Sequence, residues 1–324
     1  MSRKKKVILS LIILVLLILT GAVIWAANEL VEFAVGRDSG TIYVAPPSVV
    51  SDQDGRTMST HYEIQQMKIA KWTKSVTREQ VTIRAEDGLK LNGEYALNPT
   101  DLHRWVIAVH GYRGNHQHML GLGSYYGMQG YHVLMPDLRG CGESEGNYLT
   151  MGWQDRKDML AWIDWIVSRD PEASIVLHGI SMGGATVLMT SGEELPSQVK
   201  AIVSDCGYTS VWDIFEDELK YLFHLPAFPV LYVGDIVAEV KTGYRFSEAS
   251  ALRQVKNAKV PMLFIHGEKD NFVSTDMVYP LYEACPTEKQ ILVVQGAGHG
   301  SSCYMDPELY YGTVFTFLRE YMPE

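Results

Sequence analysis

Ser174-Ile175-Val176-Leu177-His178-Gly179-Ile180-Ser181-Met182-Gly183-Gly184-Ala185-Thr186-Val187-Leu188-Met189 changes character in its middle. Ser174 to His178 is a short, mostly apolar run rich in β-branched residues, the composition of a buried strand. Ala185 to Met189 reads as the start of a helix. Between them sits Gly-x-Ser-x-Gly. A serine on so sharp a strand-to-helix turn needs glycines two residues away on each side, because a Cβ there would meet backbone. The turn lifts the Ser181 hydroxyl clear of the sheet. It also aims the Met182 N–H at the place where a tetrahedral oxyanion would form.

A serine nucleophile needs a base, and the base needs an orienting acid. His299 lies in Gly296-Ala297-Gly298-His299-Gly300, directly after the last apolar strand pattern. Asp270, in His266-Gly267-Glu268-Lys269-Asp270, follows the strand before it. The chain order Ser…Asp…His is that of hydrolases built on a strand-turn-helix elbow. Asp205, at the end of the Val199 to Ser204 strand, and Glu268 are the competing acids. The second oxyanion donor is expected in His110-Gly111-Tyr112-Arg113-Gly114, where the Tyr112 N–H sits between glycines. His116 and His118 form a His-x-His pair, but no cysteine or carboxylate stands nearby at ligand spacing, so no metal site is assigned. No metal or organic cofactor is called for. Asp137 and Arg139 are expected to brace their own glycine-rich loop.

Outward from the elbow, strand and helix patterns alternate. Trp105 to Val109, Tyr131 to Met135, Val199 to Ser204, Pro261 to His266 and Gln290 to Val294 are apolar strands. Met119 to Gln129, Trp153 to Ser168 and Leu309 to Tyr321 are helices. Asp87-Gly88 joins a hairpin between strands at Glu79 to Ala85 and Leu89 to Leu97. The fold class is therefore α/β, with a mostly parallel sheet covered by helices on both faces. Gly207 to Lys259 interrupts the alternation with helical patterns broken at Pro226, Pro229 and Gly234, and reads as a small cap over the site.

The chain has 324 residues, 47% hydrophobic and 20% charged, with a formal net charge of −10. That balance repels phosphate backbones and argues against a nucleic-acid partner. Cys141, Cys206, Cys285 and Cys303 are widely spaced and support neither structural zinc nor a disulfide framework, although one bridge stays open. The N-terminus is different. Arg3, Lys4, Lys5 and Lys6 precede 21 uncharged residues, Val7 to Ala27. Such a run spans a bilayer as a helix. The basic cluster places its own end in the cytoplasm and the rest of the chain outside. A cleaved signal peptide is the alternative; the apolar run exceeds the usual signal core and no clean Ala-x-Ala site follows it. Residues 1–27 are thus a basic stub and signal anchor, 28–76 a juxtamembrane segment with loops at 45–55 and a helix over His61 to Lys74, and 77–324 the catalytic domain.

Taken in order, the His110 to Gly114 loop, Asp137-Leu138-Arg139-Gly140-Cys141-Gly142-Glu143-Ser144, the Gly179 to Gly184 elbow, the His266 to Asp270 loop and Gly296 to His299 resemble the α/β-hydrolase fold from about Thr77 onward. Within it the chain is similar to serine aminopeptidase-like (S33-type) and BEM46-like proteins, and to membrane-bound cell-surface hydrolases of Gram-positive bacteria. Two features depart from the pattern: His178 precedes the elbow glycine, and the cap is short and matches no particular lipase or peptidase. The expected activity is hydrolysis of a carboxylic ester on a small acyl-containing substrate, with Ser181, His299 and Asp270 as triad and the Tyr112 and Met182 amides as oxyanion hole. A peptidase or amidase, an acyltransferase, and a non-catalytic surface protein on the same scaffold are the alternatives.

Overall fold

The computed structural model describes residues 2–39, 54–100 and 102–322. The loop expected over 45–53 lies outside the described residues, whereas Asp54 and Gly55, assigned to the same loop, open a helix. In chain order the elements are α1 (Arg3–Val35), α2 (Asp54–Thr73), β1 (Thr77–Arg84), β2 (Lys90–Leu97), β3 (Arg104–Val109), α3 (Leu120–Met128), β4 (His132–Pro136) and α4 (Asp155–Arg169). The elbow then joins β5 (Ser174–Ile180) to α5 (Met182–Thr190), followed by β6 (Val199–Asp205) and the cap helices α6 (Val211–Phe223) and α7 (Val230–Thr242). The chain closes with α8 (Ala251–Val255), β7 (Met262–Gly267), α9 (Val278–Ala284), β8 (Lys289–Val294), α10 (Ser302–Met305) and α11 (Pro307–Arg319).

The strands form one eight-stranded sheet in the order β1-β2-β4-β3-β5-β6-β7-β8. The β1–β2 and β2–β4 pairs are antiparallel, and every pair from β4 to β8 is parallel. Strand period two sorts the apolar side chains into two cores. Ile107, Val109, Ile175 and Leu177 face one way and pack with Met159 and Ile163 of α4 and Val187 of α5. Val106, Ala108, Val176 and Val203 face the other way and pack with Tyr126 of α3 and Val314 and Phe317 of α11. Both faces are covered, which is why these strands read as continuous apolar runs rather than alternating ones.

Helix α2 occupies the place expected of the His61 to Lys74 helix, but two of its apolar residues turn outward. Gln65 and Trp72 are buried, while Ile64 and Met67 are exposed. Gly121, Gly123 and Gly127 of α3 explain the choice. A Cβ at Gly127 would lie 2.0 Å from Trp72 Nε1, and one at Gly121 would lie 2.9 Å from the Gln65 amide. The two residues, seven apart and so on one face of α2, fill the space those glycines leave.

Helix α1 is unbroken and, by length and composition, able to cross a membrane. Its residues up to Trp25 are largely exposed, with Val7 to Leu19 forming an apolar surface on all sides. Ala27, Val31 and Val35, spaced four apart, are buried. They turn toward the protein, and this end of α1 packs on α7. A Cβ at Gly234 would approach Val31 Cγ2 at 3.6 Å, and Lys241 pairs with Glu32. Gly234 was expected to break the cap helix; it lies inside α7. The cap break falls instead between His224 and Pro229, around the two prolines.

Candidate active site

Ser181 sits at φ 59° and ψ −119°, a strained conformation for a residue with a side chain. The surroundings enforce it. A Cβ on Gly179 would stand 2.0 Å from the Gly183 carbonyl oxygen, and one on Gly183 would stand 2.1 Å from that of Val109. The Ser181 N–H donates to the Asp205 carbonyl at 2.8 Å, tying the elbow to the end of β6.

Ser181 Oγ lies 2.8 Å from His299 Nε2, and His299 Nδ1 lies 2.8 Å from Asp270 Oδ2. The two bonds assign the neutral tautomer: Nδ1–H donates to the carboxylate and Nε2 accepts from the serine. Phe272 packs against the imidazole with ring centroids 4.9 Å apart. Asp270 Oδ1 accepts from the N–H groups of Phe272 and Val273 at 3.0 and 2.9 Å. Burial by itself would raise the Asp270 carboxyl; hydrogen bonding to His266 and His299 outweighs it and holds the group at about 2.

The competing acids are occupied elsewhere. Asp205 Oδ2 accepts from Tyr310 O–H at 3.1 Å, and burial pushes its carboxyl up to about 6. Glu268 accepts from the Gly296 N–H at 3.0 Å and braces the loop that carries His299. His178, unexplained in the sequence, belongs to the opposite face of β5, where Val176 also points. Tyr126 O–H donates to its Nδ1 at 2.9 Å, and its Nε2–H donates to Tyr310 at 3.0 Å. Burial drives its pKa down to about 3, so it stays neutral. A buried polar chain thus runs from Tyr126 through His178 and Tyr310 to Asp205.

Tyr112 and Met182 flank the serine as expected. Gly111 lets the loop approach: a Cβ there would be 3.3 Å from Ser181 Cβ. Met182 opens α5, so its N–H has no helical acceptor. Among the described residues neither it nor the Tyr112 N–H donates to a protein acceptor. The Tyr112 side chain has a role the sequence did not suggest. Its O–H donates to the Ala34 carbonyl of α1 at 2.5 Å. Arg113 beside it donates to the carbonyls of Phe33, Gly36 and Arg37 and to Ser39 Oγ, at 2.6 to 3.3 Å. The carbonyls that a helix end leaves unpaired are here satisfied by the loop next to the nucleophile.

Asp137 and Arg139 are both structural. Asp137 accepts from the His116 and Glu143 N–H groups, at 2.6 and 2.8 Å, and pairs with His116 Nδ1. Arg139 forms a two-pronged pair with Asp158 of α4 and reaches Asp87 of the hairpin. All four cysteines are buried and free. Among the described residues, the group close enough to hold a metal is Cys206, Asp270 and His299, in which the last two are already bonded to each other.

A cavity of about 850 Å³, counted to its open mouth, begins at Ser181. Its walls come from α6 and α7 of the cap, with Leu219 and Leu231, and from Phe272 beside His299. The remaining wall is α1, through Ala27, Leu30, Val31 and Ala34. One acid intrudes on this apolar lining. Glu218 is buried, its Oε2 has no hydrogen-bond partner, and burial, with Asp217 and Asp270 nearby, raises its carboxyl to about 7.

Residues 104–236 match the family model of the alpha/beta hydrolase fold, and residues 180–300 match that of the serine hydrolases (FSH1). The chain has the α/β-hydrolase fold. Among its curated relatives, YqkD of Bacillus subtilis, an uncharacterised protein, is 25% identical over 69% of this chain and 74% of the relative. Protein bem46 of Schizosaccharomyces pombe is 23% identical over 75% of this chain and 77% of its own length. Among solved structures, the Pyrococcus furiosus esterase Pf2001 superposes with a TM-score of 0.62 at 24% identity, covering 86% of this chain and all of the esterase. The esterase is similar to this chain in fold; the chemistry rests on the site itself.

Proposed function

We propose that the protein is a membrane-anchored serine hydrolase that cleaves carboxylic esters by acyl transfer. The observation that carries this reading is the unbroken path Ser181–His299–Asp270, with both links at 2.8 Å, under an apolar cavity. His299 takes the Ser181 proton as Oγ attacks the ester carbonyl. The Tyr112 and Met182 N–H groups receive the oxyanion. The acyl–oxygen bond breaks and the alcohol leaves with the proton that His299 returns. Water, deprotonated by His299, then attacks the acyl-enzyme and releases the acid. Asp270 holds the imidazole in its tautomer and stabilises the imidazolium. The chemistry consumes only water.

The anchor reading rests on the apolar length of α1 and on the basic cluster at Arg3 to Lys6. By the positive-inside rule it puts the catalytic domain on the outer side of the cell membrane. Fluorophosphonate labelling tests the chemistry: wild type labels and Ser181→Ala does not. Absence of label on wild type, or label that survives the substitution, overturns the proposal. Protease treatment of intact cells tests the orientation, and a protected C-terminal region would refute it.

A further inference from the structure

We propose that the substrate is a long-chain acyl ester drawn directly from the bilayer, its chain lodged between the end of α1 and the cap. This rests on the ester-hydrolase reading and names the substrate class of the same site.

Ala27, the last residue before Asn28 and Glu29 end the N-terminal apolar run, is also a wall of the cavity that holds Ser181. The hydrocarbon span and the acyl cavity therefore meet at one residue of one continuous helix. From Ala27 to Ala34 the helix rises about 10 Å, so the pocket wall starts at the membrane edge and stands only two turns above it. Arg113 and Tyr112 fasten the helix end to the loop beside Ser181, which makes α1 a fixed wall rather than a tether.

The rim of the cavity is apolar as well. Leu222 and Phe223 line it and are 39% and 42% exposed, whereas Ser181 at the inner end is 8% exposed. Phe223 meets Phe33 of α1 edge to face, with centroids 6.0 Å apart. Beyond that contact the last turn of α6 exposes Tyr221, and the α6–α7 connection exposes Leu225 and Phe228. An apolar mouth beside a membrane span would be a liability facing water, and a bilayer covers it. A lipid tail can pass from hydrocarbon into such a mouth without exposing its methylenes, each worth about 0.8 kcal/mol when kept from water.

The test uses the full-length chain in phosphatidylcholine vesicles. Monooleoylglycerol carried in the vesicles is the long-chain probe, and p-nitrophenyl acetate in the water is the short one. The readout is the ratio of their kcat/KM values. We expect a ratio on the order of 100 for wild type, given the burial of a long chain. Tyr221→Asp with Phe228→Asp, which places charge on the rim, should lower it about tenfold. Ala27→Trp, which fills the wall, should lower it similarly. Fluorophosphonate labelling at wild-type rate verifies that each variant keeps an assembled site. A wild-type ratio near one, or rim and wall variants that label normally and keep the wild-type ratio, overturns the inference. If wild type turns over neither ester and takes no label, it is the hydrolase reading that has failed.

Discussion

Tyr112 reaches away from Ser181 and donates its phenolic hydrogen to the Ala34 carbonyl, 78 positions earlier in the chain, at 2.5 Å. A residue of the loop next to Ser181 thus gives its side chain to the end of the apolar helix. Tyr112→Phe should leave the Ala34 carbonyl short of a partner and cost about 1 kcal/mol. Arg113→Ala, which strips four contacts, should cost about 2–3 kcal/mol. Thermal unfolding of the detergent-solubilised chain checks both, and equal effects for the two variants would contradict the account.

The pairing of His299 with Asp270 rather than Asp205 separates the two carboxylates kinetically. Ser181→Ala and His299→Ala should abolish p-nitrophenyl acetate hydrolysis. Asp270→Asn should lower kcat on the order of 10⁴-fold, because it leaves the imidazole in the wrong tautomer. Asp205→Asn should cost less than about tenfold, since that carboxyl touches Tyr310 and not the base. Steady-state kinetics on the four variants would expose an inverted order.

Glu218 makes the fold less stable as pH rises. Its carboxyl has an ordinary value of 4.5 and is raised to about 7 in the folded chain, so folding favours the protonated form. The penalty is absent below about pH 4.5, grows between 4.5 and 7, and is constant above. Glu218→Gln should therefore stabilise the protein at pH 8 by on the order of 1–2 kcal/mol, with the gain vanishing by pH 4. Denaturation midpoints measured across that range give the answer; a gain that is independent of pH would assign the effect to packing instead.

Gly179 tolerates no side chain. A Cβ 2.0 Å from the Gly183 carbonyl oxygen cannot be relieved by rotating a flexible group, because the obstacle is backbone. Gly179→Ala should lower the melting temperature by several degrees and reduce fluorophosphonate labelling at Ser181 at least tenfold. Labelling at the wild-type rate would mean that the elbow relaxes more easily than its geometry implies.

What the sequence made legible divides along physical lines. The elbow could be read because its glycines and serine fall within five residues between a strand pattern and a helix pattern. Ser181 and His299 could be paired because chain order reflects strand order in this sheet. Asp270 and Asp205 were harder to separate. They follow adjacent parallel strands, β7 and β6, and only the distance to His299 tells them apart. That α2 buries Gln65 together with Trp72 was hidden, because the room for both side chains comes from glycines on α3. The gravest omission was α1. Hydropathy marks Val7 to Ala27 as apolar but says nothing of what Leu30 and Ala34 touch, so the stretch read as a connecting segment supplies a wall of the cavity. His178 looked like a departure from pattern and is a buried link between two tyrosines.

Helix α1 has no break between Arg3 and Val35, and its far end is bolted to the loop beside the nucleophile. A rod of that kind has no hinge in which to lose motion. If α1 spans a bilayer as proposed, a bilayer thinner than the span would make the rod lean, and the lean would be carried to the cavity wall. Membrane thickness would then be a mechanical input to the pocket at Ser181, and turnover measured in vesicles of graded lipid chain length would register it.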